Sequence, residues 1–198
     1  MRLFIALDIP QQIRDRIAQF QSGLKALAPE PRWVSTESFH ITLKFIGELP
    51  SEKIEGLKQA LAQVHSQTFD VAFRNYGFFP NARSARVLWV GIEAPELLPQ
   101  LAAAVDAATH TLGIPREEHE LKPHLTLARS GSGRPQRGRN DSPNQRFARV
   151  DQHLQQFPAP DFGTMTATEF FLYESKLSPR GAQYTKLARF PLKVGNER

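Results

Sequence analysis

Phe39-His40-Ile41-Thr42-Leu43-Lys44 and Pro123-His124-Leu125-Thr126-Leu127-Ala128 are two copies of one pattern, His-apolar-Thr-apolar. The chain has six histidines, and no other sits in such a setting. Two chance matches are expected in about 0.001 chains of this composition, so the repetition needs a cause. Strand geometry suggests one, because successive side chains of a strand point to opposite faces. His40 and Thr42 share one face while Ile41 and Leu43 enter a core, and His124 and Thr126 repeat the arrangement over Leu125 and Leu127. If the two strands lie across a cleft, two imidazoles and two hydroxyls converge on it. A dry core has little use for four such groups.

Outward from the motifs, strand and helix patterns alternate. Arg2 to Leu7 reads as a buried strand, and Ile13, Ile17, Phe20, Leu24 and Leu27 follow at helical spacing until Ala28-Pro29-Glu30-Pro31 breaks it. Arg32-Trp33-Val34 is a short strand, and Phe39 to Gly47 carries the first motif. Ile54, Leu57, Leu61 and Val64 mark a second helix, and Phe69, Val71 and Phe73 alternate as a strand should. Gly77-Phe78-Phe79-Pro80-Asn81 is expected to turn the chain before a strand over Arg86 to Ile92. Leu97 to Leu112 fits a third helix, and the second motif strand follows over Pro123 to Arg129. Phe147, Val150, Leu154 and Phe157 restore helical spacing. Met165 to Leu177 and Ala182 to Leu192 read as an antiparallel pair joined around Ser178-Pro179-Arg180-Gly181.

Each motif strand thus follows a strand-rich stretch and an amphipathic helix, with the two histidines 124 − 40 = 84 residues apart. This suggests an α+β fold, a single domain over 1–198 built of two pseudo-symmetric lobes of antiparallel sheet, with flanking helices around a central cleft. Residues 130–143 contain no apolar residue and three arginines, and are expected to form a flexible basic loop. That loop could hold a phosphate backbone or be a solvated insertion.

Apolar residues make up 40% and charged residues 23%, ordinary values for a water-soluble globular chain. Without cysteine, disulfides and thiolate metal sites are excluded. The first apolar run is too short for a signal peptide or membrane span, so a cytoplasmic protein is expected. A net charge of +5 favours polyanionic partners without specifying one.

Histidine is the side chain that can hold one neutral base and one protonated acid near neutral pH. Such a pair suits displacement at phosphorus: one imidazole takes a proton from attacking water while the other gives one to the leaving oxygen. Threonine hydroxyls and nearby cations would hold the non-bridging oxygens. The chain contains no HExxH and no carboxylate cluster spaced around the motif histidines, so neither a metal nor a cofactor is expected. His119, in Glu117-Glu118-His119-Glu120, reads as part of an acidic surface turn.

Beyond the motifs, Arg2-Leu3-Phe4-Ile5-Ala6-Leu7, Arg32-Trp33-Val34, Phe45-Ile46-Gly47-Glu48, Phe79-Pro80, Val87-Leu88-Trp89-Val90-Gly91 and Lys122-Pro123 complete a framework. In it the chain resembles the 2H phosphoesterase superfamily, specifically its RNA 2′,3′-cyclic phosphodiesterases, historically called 2′-5′ RNA ligases. The resemblance implies a two-lobed fold that opens an RNA 2′,3′-cyclic phosphate to a 2′-phosphate end. It implies His40 as general acid and His124 as base, Thr42 and Thr126 holding phosphate oxygens, Arg129 supporting the phosphate, and Phe45 packing on the terminal base. The partner is RNA with a cyclic phosphate end, and a monomer is expected.

Strand parity qualifies some of these roles. At five residues from its histidine, Phe45 on a straight strand points into the core, and Arg129 likewise points away from His124, so a bend or bulge is needed to bring it in. Lys44 has the parity to reach a phosphate, or is an exposed strand lysine. Tyr184, in the last hairpin, is placed at the border of the cleft. Other readings stay open: a 2′-5′ RNA ligase, a phosphodiesterase for 2′-5′ oligonucleotides or cyclic nucleotides, or a non-catalytic RNA-binding module.

Overall fold

The computed structural model describes residues 1–130, 145–178 and 181–194. Among the described residues the strands form two antiparallel sheets. Strands β1 (Arg2–Leu7), β3 (Ile41–Glu48), β8 (Glu169–Ser178) and β9 (Gly181–Pro191) form sheet A in the order β3-β1-β8-β9. Sheet B contains β2 (Arg32–Trp33), β4 (Phe69–Phe79), β5 (Val87–Glu93), β6 (His124–Arg129) and β7 (Asp161–Ala167), in the order β2-β6-β5-β4-β7. The motif strands hold matching places, since β3 pairs with β1 as β6 pairs with β5. A second antiparallel neighbour, β8 on β1 and β4 on β5, extends the correspondence. These relations bear out the α+β architecture of two sheets around a cleft.

Among the described residues four α-helices pack on the sheets or on one another. The helix α1 (Gln11–Leu27) buries Ile13, Ile17, Gln21 and Leu24, and packs against β7 of sheet B although it follows a strand of sheet A. Conversely, α3 (Leu97–His110) follows β5 of sheet B and packs against β3 of sheet A. The helices α2 (Ile54–Ala62) and α4 (Gln145–Leu154) lie beside α3 and α1 respectively. Because each half covers its partner's sheet, one core runs through both halves, from Leu3, Ile5 and Leu7 to Leu125, Leu127 and Phe147. Among the described residues no helix is long and apolar enough to cross a membrane.

Two elements differ from their reading in the sequence. The strand through Phe69 does not stop before Gly77; β4 continues to Phe79. Asn75 adopts φ 62° at a bulge against β5, and its N–H donates to Pro160 O at 2.8 Å, which lets the strand bend and carry on. The strand expected from Met165 to Leu177 is two strands that belong to different sheets. β7 ends at Ala167 beside β4, and β8 starts at Glu169 beside β1 and β9, so the chain crosses between the sheets at Thr168. Both halves of that stretch have strand periodicity, and nothing local marks the change of sheet. Residues 131–143 of the basic loop, and the Pro179-Arg180 turn, lie outside the described residues.

Candidate active site

The two motif strands share more than their histidines. From His40 to Phe45 and from His124 to Arg129 the burial sequence is the same: half-buried, buried, half-buried, buried, buried, exposed. The repetition of buried in adjacent positions comes from a bulge at the same place in both. In β3, Thr42 pairs with Ala6 and Lys44 with Ile5, leaving Leu43 as the extra residue. In β6, Thr126 pairs with Trp89 and Ala128 with Leu88, leaving Leu127 extra. A bulge inverts the parity of everything beyond it.

Three of the expectations change accordingly. Phe45 turns outward, 61% exposed, with its ring 6.4 Å from that of Phe4. Arg129 turns to the face of Thr126 and its Nη2 donates to Thr126 Oγ1 at 3.4 Å. Lys44 turns inward and is 2% exposed, so it is neither a phosphate ligand nor a surface lysine. Its Nζ donates to the carboxylate of Asp106 on α3 and to Pro115 O at 2.8 Å. Burial works to raise the Asp106 pKa, but the bonds from Lys44 and the Glu117 N–H outweigh it and hold the carboxyl below its ordinary range.

Both imidazoles are held in the same way. His40 Nδ1 lies 2.7 Å from Ser38 O, and His124 Nδ1 lies 2.7 Å from Lys122 O. A carbonyl only accepts, so Nδ1 carries the hydrogen in either protonation state and Nε2 is the nitrogen that gains or loses a proton. The segment before His40 is anchored by Arg14, whose Nη1 donates to Thr36 O at 2.6 Å and Phe39 O at 3.3 Å while Nη2 donates to Asp8 Oδ1 at 3.0 Å. The His40 ring packs 4.7 Å from Phe4 and meets Tyr184 edge-on at 5.3 Å. His124 meets Phe79 edge-on at 5.0 Å.

Electrostatics ties the two sheets together at this point. Desolvation pulls the His40 pKa down to about 4, against the bond to Ser38 O and with further lowering by Arg14 and Arg129. Desolvation also lowers His124, and Arg129 adds to it. Burial pushes the Tyr184 phenol up while Arg129 and Arg2 oppose it, so the hydroxyl stays protonated and can donate. One guanidinium on sheet B therefore acts on both histidines and on a tyrosine of sheet A.

A pocket of about 170 Å³ opens beside His40 on sheet A, lined among others by Arg2, Phe4, Phe45, Ser175 and Tyr184. His40, Phe45 and Tyr184 of sheet A line this pocket together, and Arg129 of sheet B, bonded to Thr126, acts on His40, His124 and Tyr184, while Thr42 is half-buried one strand step from Ile41. The sequence pattern did not single out Arg2, Phe4 or Ser175. Arg2 and Phe4 lie two residues apart on one face of β1, and the strand alternation of Arg2 to Leu7 is the signal that places them together. No three His, Cys, Asp or Glu side chains among the described residues are placed to hold a metal ion.

The profile of a family described as LigT like phosphoesterase matches the chain twice, over residues 7–89 and 90–184. A protein of Archaeoglobus fulgidus named RNA 2′,3′-cyclic phosphodiesterase is 32% identical over 196 residues, covering 96% of this chain and 99% of that one. The Escherichia coli protein of the same name is 28% identical, with 96% of each chain covered. A crystal structure of E. coli LigT complexed with 3′-AMP superposes with a TM-score of 0.74 at 29% identity, covering 96% of this chain and 97% of that one.

Proposed function

The chain belongs to the LigT like phosphoesterase family, and we propose that it hydrolyses RNA 2′,3′-cyclic phosphate ends to 2′-phosphate ends. Its two imidazoles act as acid and base without a metal ion or cofactor. The observation that carries this reading is the pair of imidazoles held identically at Nδ1, under one shared guanidinium, Arg129. All the groups this reading requires come from one chain, and the working unit it proposes is a monomer.

In the proposed reaction the cyclic phosphate lies between the motif strands. Thr42, Thr126 and Arg129 hold its non-bridging oxygens, and Phe45 offers its exposed ring to the terminal base. His124 Nε2 takes a proton from water as the oxygen attacks phosphorus in line with O3′. The P–O3′ bond breaks, and His40 Nε2 gives its proton to the departing O3′. The product carries a 3′-hydroxyl and a 2′-phosphate, and the two histidines have exchanged protonation states. An oligonucleotide with a 2′,3′-cyclic phosphate end is therefore opened to the 2′-phosphate at an undiminished rate in EDTA. Product ends resolved by phosphorus NMR check this, and a 3′-phosphate product or strict dependence on a divalent ion overturns it.

The low His40 pKa sets a pH signature. In the free protein His40, at about 4, and His124, held below its ordinary value by burial, are both neutral at pH 7. A bound phosphate anion favours the imidazolium form and raises both values, so the substrate promotes the protonation of its own acid. Because kcat/KM reports the free enzyme and kcat the complex, both profiles are bell-shaped, with the kcat bell displaced to higher pH. Coincident bells in steady-state rates between pH 4 and 9 would count against this.

A further inference from the structure

The pocket beside His40 ends in a positive charge that the proposed hydrolysis does not use. Along β1, Ala6 lies opposite Thr42, Phe4 lies under the His40 ring, and Arg2 comes two residues further out on the same face. Two residues of a strand advance about 7 Å, comparable with the step from one phosphate to the next along a nucleic acid chain. Phe45 and Tyr184 flank that interval, and Ser175 and Gly47 complete the wall. Gly47 has φ 79°, and a Cβ there would meet nothing within 4 Å, so the outer end is open.

Arg2 forms no ion pair among the described residues. Glu48, its partner across the strand pair, has its carboxylate 3.6 Å from the terminal ammonium of Met1. Glu174, on the neighbouring strand, is engaged by Lys176 at 3.3 Å. Among the described residues that line the pocket, Arg2 is the one with a permanent charge.

We propose that Arg2 binds the internucleotide phosphate on the 5′ side of the terminal nucleotide, so that the site selects the end of an RNA chain over a cyclic mononucleotide. This rests on the cyclic phosphodiesterase reading above, which places the reacting phosphate between the two histidines. The terminal nucleoside then occupies the stretch between Phe45 and Tyr184, and the next phosphate along the chain meets the guanidinium. A cyclic mononucleotide has no charge at that position and forgoes the contact.

The test compares three substrates with the same terminal base and a 2′,3′-cyclic phosphate. They are a mononucleotide, a dinucleotide, and a dinucleotide whose internucleotide linkage is an uncharged methylphosphonate. For the parent protein kcat/KM for the natural dinucleotide exceeds that for the methylphosphonate about fivefold, the upper scale of one exposed charge pair. In Arg2→Gln that ratio falls to about one, and Arg2→Lys recovers part of it. If Arg2→Gln lowers all three substrates equally, or leaves the ratio intact, the proposal fails. Equilibrium binding of the two dinucleotides bearing a 2′-phosphate end provides a readout that needs no turnover. A charge preference there that is lost in Arg2→Gln upholds Arg2 even if no cyclic phosphate is opened, in which case the hydrolytic reading alone fails. Equal binding of the charged and uncharged dinucleotides by the parent overturns the assignment of Arg2.

Discussion

His40→Ala and His124→Ala each lower kcat on a cyclic-phosphate oligonucleotide by roughly 10²- to 10⁴-fold, the range for loss of a positioned acid or base. Both rings are half-buried beside the cleft and, among the described residues, are bonded through Nδ1 alone, to a carbonyl two residues upstream. Their removal takes away proton transfer while the ladders of β3 and β6 remain. The double variant loses little beyond either single one, because the two imidazoles serve one displacement and neither works without the other. Either variant retaining more than about a tenth of the parent rate, with its thermal transition unchanged, would refute a two-histidine mechanism.

The same variants separate the two roles. A cyclic substrate with sulfur in place of O3′ has a leaving group that departs without protonation. It restores turnover to the variant that lacks the acid and not to the variant that lacks the base. Rescue of His40→Ala alone is expected. Rescue of His124→Ala alone would reverse the assignment while leaving the pair intact.

Lys44→Ala is expected to destabilise the fold by about 3 kcal/mol, the scale for breaking a buried ion pair from one side. The lysine is 2% exposed, and its ammonium satisfies Asp106 and the Pro115 carbonyl, joining a strand of one half to the helix of the other. Asp106 keeps Glu117 N–H and lies 3.8 Å from Arg116, which limits the loss. The pH dependence has a defined sign. In the parent the folded-state pKa of Asp106 is depressed, so its stabilising contribution is full above the ordinary carboxylate value and is lost as pH falls through the depressed folded value. In Lys44→Ala burial is opposed less and the Asp106 pKa rises, so the carboxyl is protonated sooner on acidification. The stability difference is therefore largest near neutral pH and narrows on acidification through the Asp106 titration, as urea denaturation at several pH values would record. A Lys44→Met, Asp106→Leu pair recovers most of the loss, since two apolar groups replace the charges together. A loss below about 1 kcal/mol for Lys44→Ala would show the pair to be dispensable.

Much of this site was legible in the residues themselves. The period of two along each motif strand requires His40 to share a face with Thr42 and His124 with Thr126, because alternation is a property of the extended backbone. Helical spacing located α1, α2 and α3 for the same reason. The motif repeat implied two matching strands, and the corresponding places of β3 beside β1 and β6 beside β5 agree with that. Parity also marked Arg129 as a residue that needed a bulge to reach the cleft, and Leu127 is the extra residue there.

What lay beyond reach had non-local causes. A bulge exists only between two paired strands, so whether Leu43 is extra depends on Ala6 and Ile5, nearly forty residues away. Simple alternation, which knows nothing of the bulge, places Lys44 and Phe45 each on the other's face. The division of Met165 to Leu177 between two sheets likewise depends on which edges β4 and β1 leave open. The lowered pKa of His40 depends on burial against Phe4 and Tyr184, and on arginines from both halves. The sequence by itself determined the motif strands, their inward and outward faces up to the bulge, and the chemistry of the four motif side chains, because those follow from backbone geometry and residue type. The tertiary structure alone decided which residues beyond the motifs face the cleft, and how readily its histidines take a proton, because register and desolvation arise only when distant segments meet.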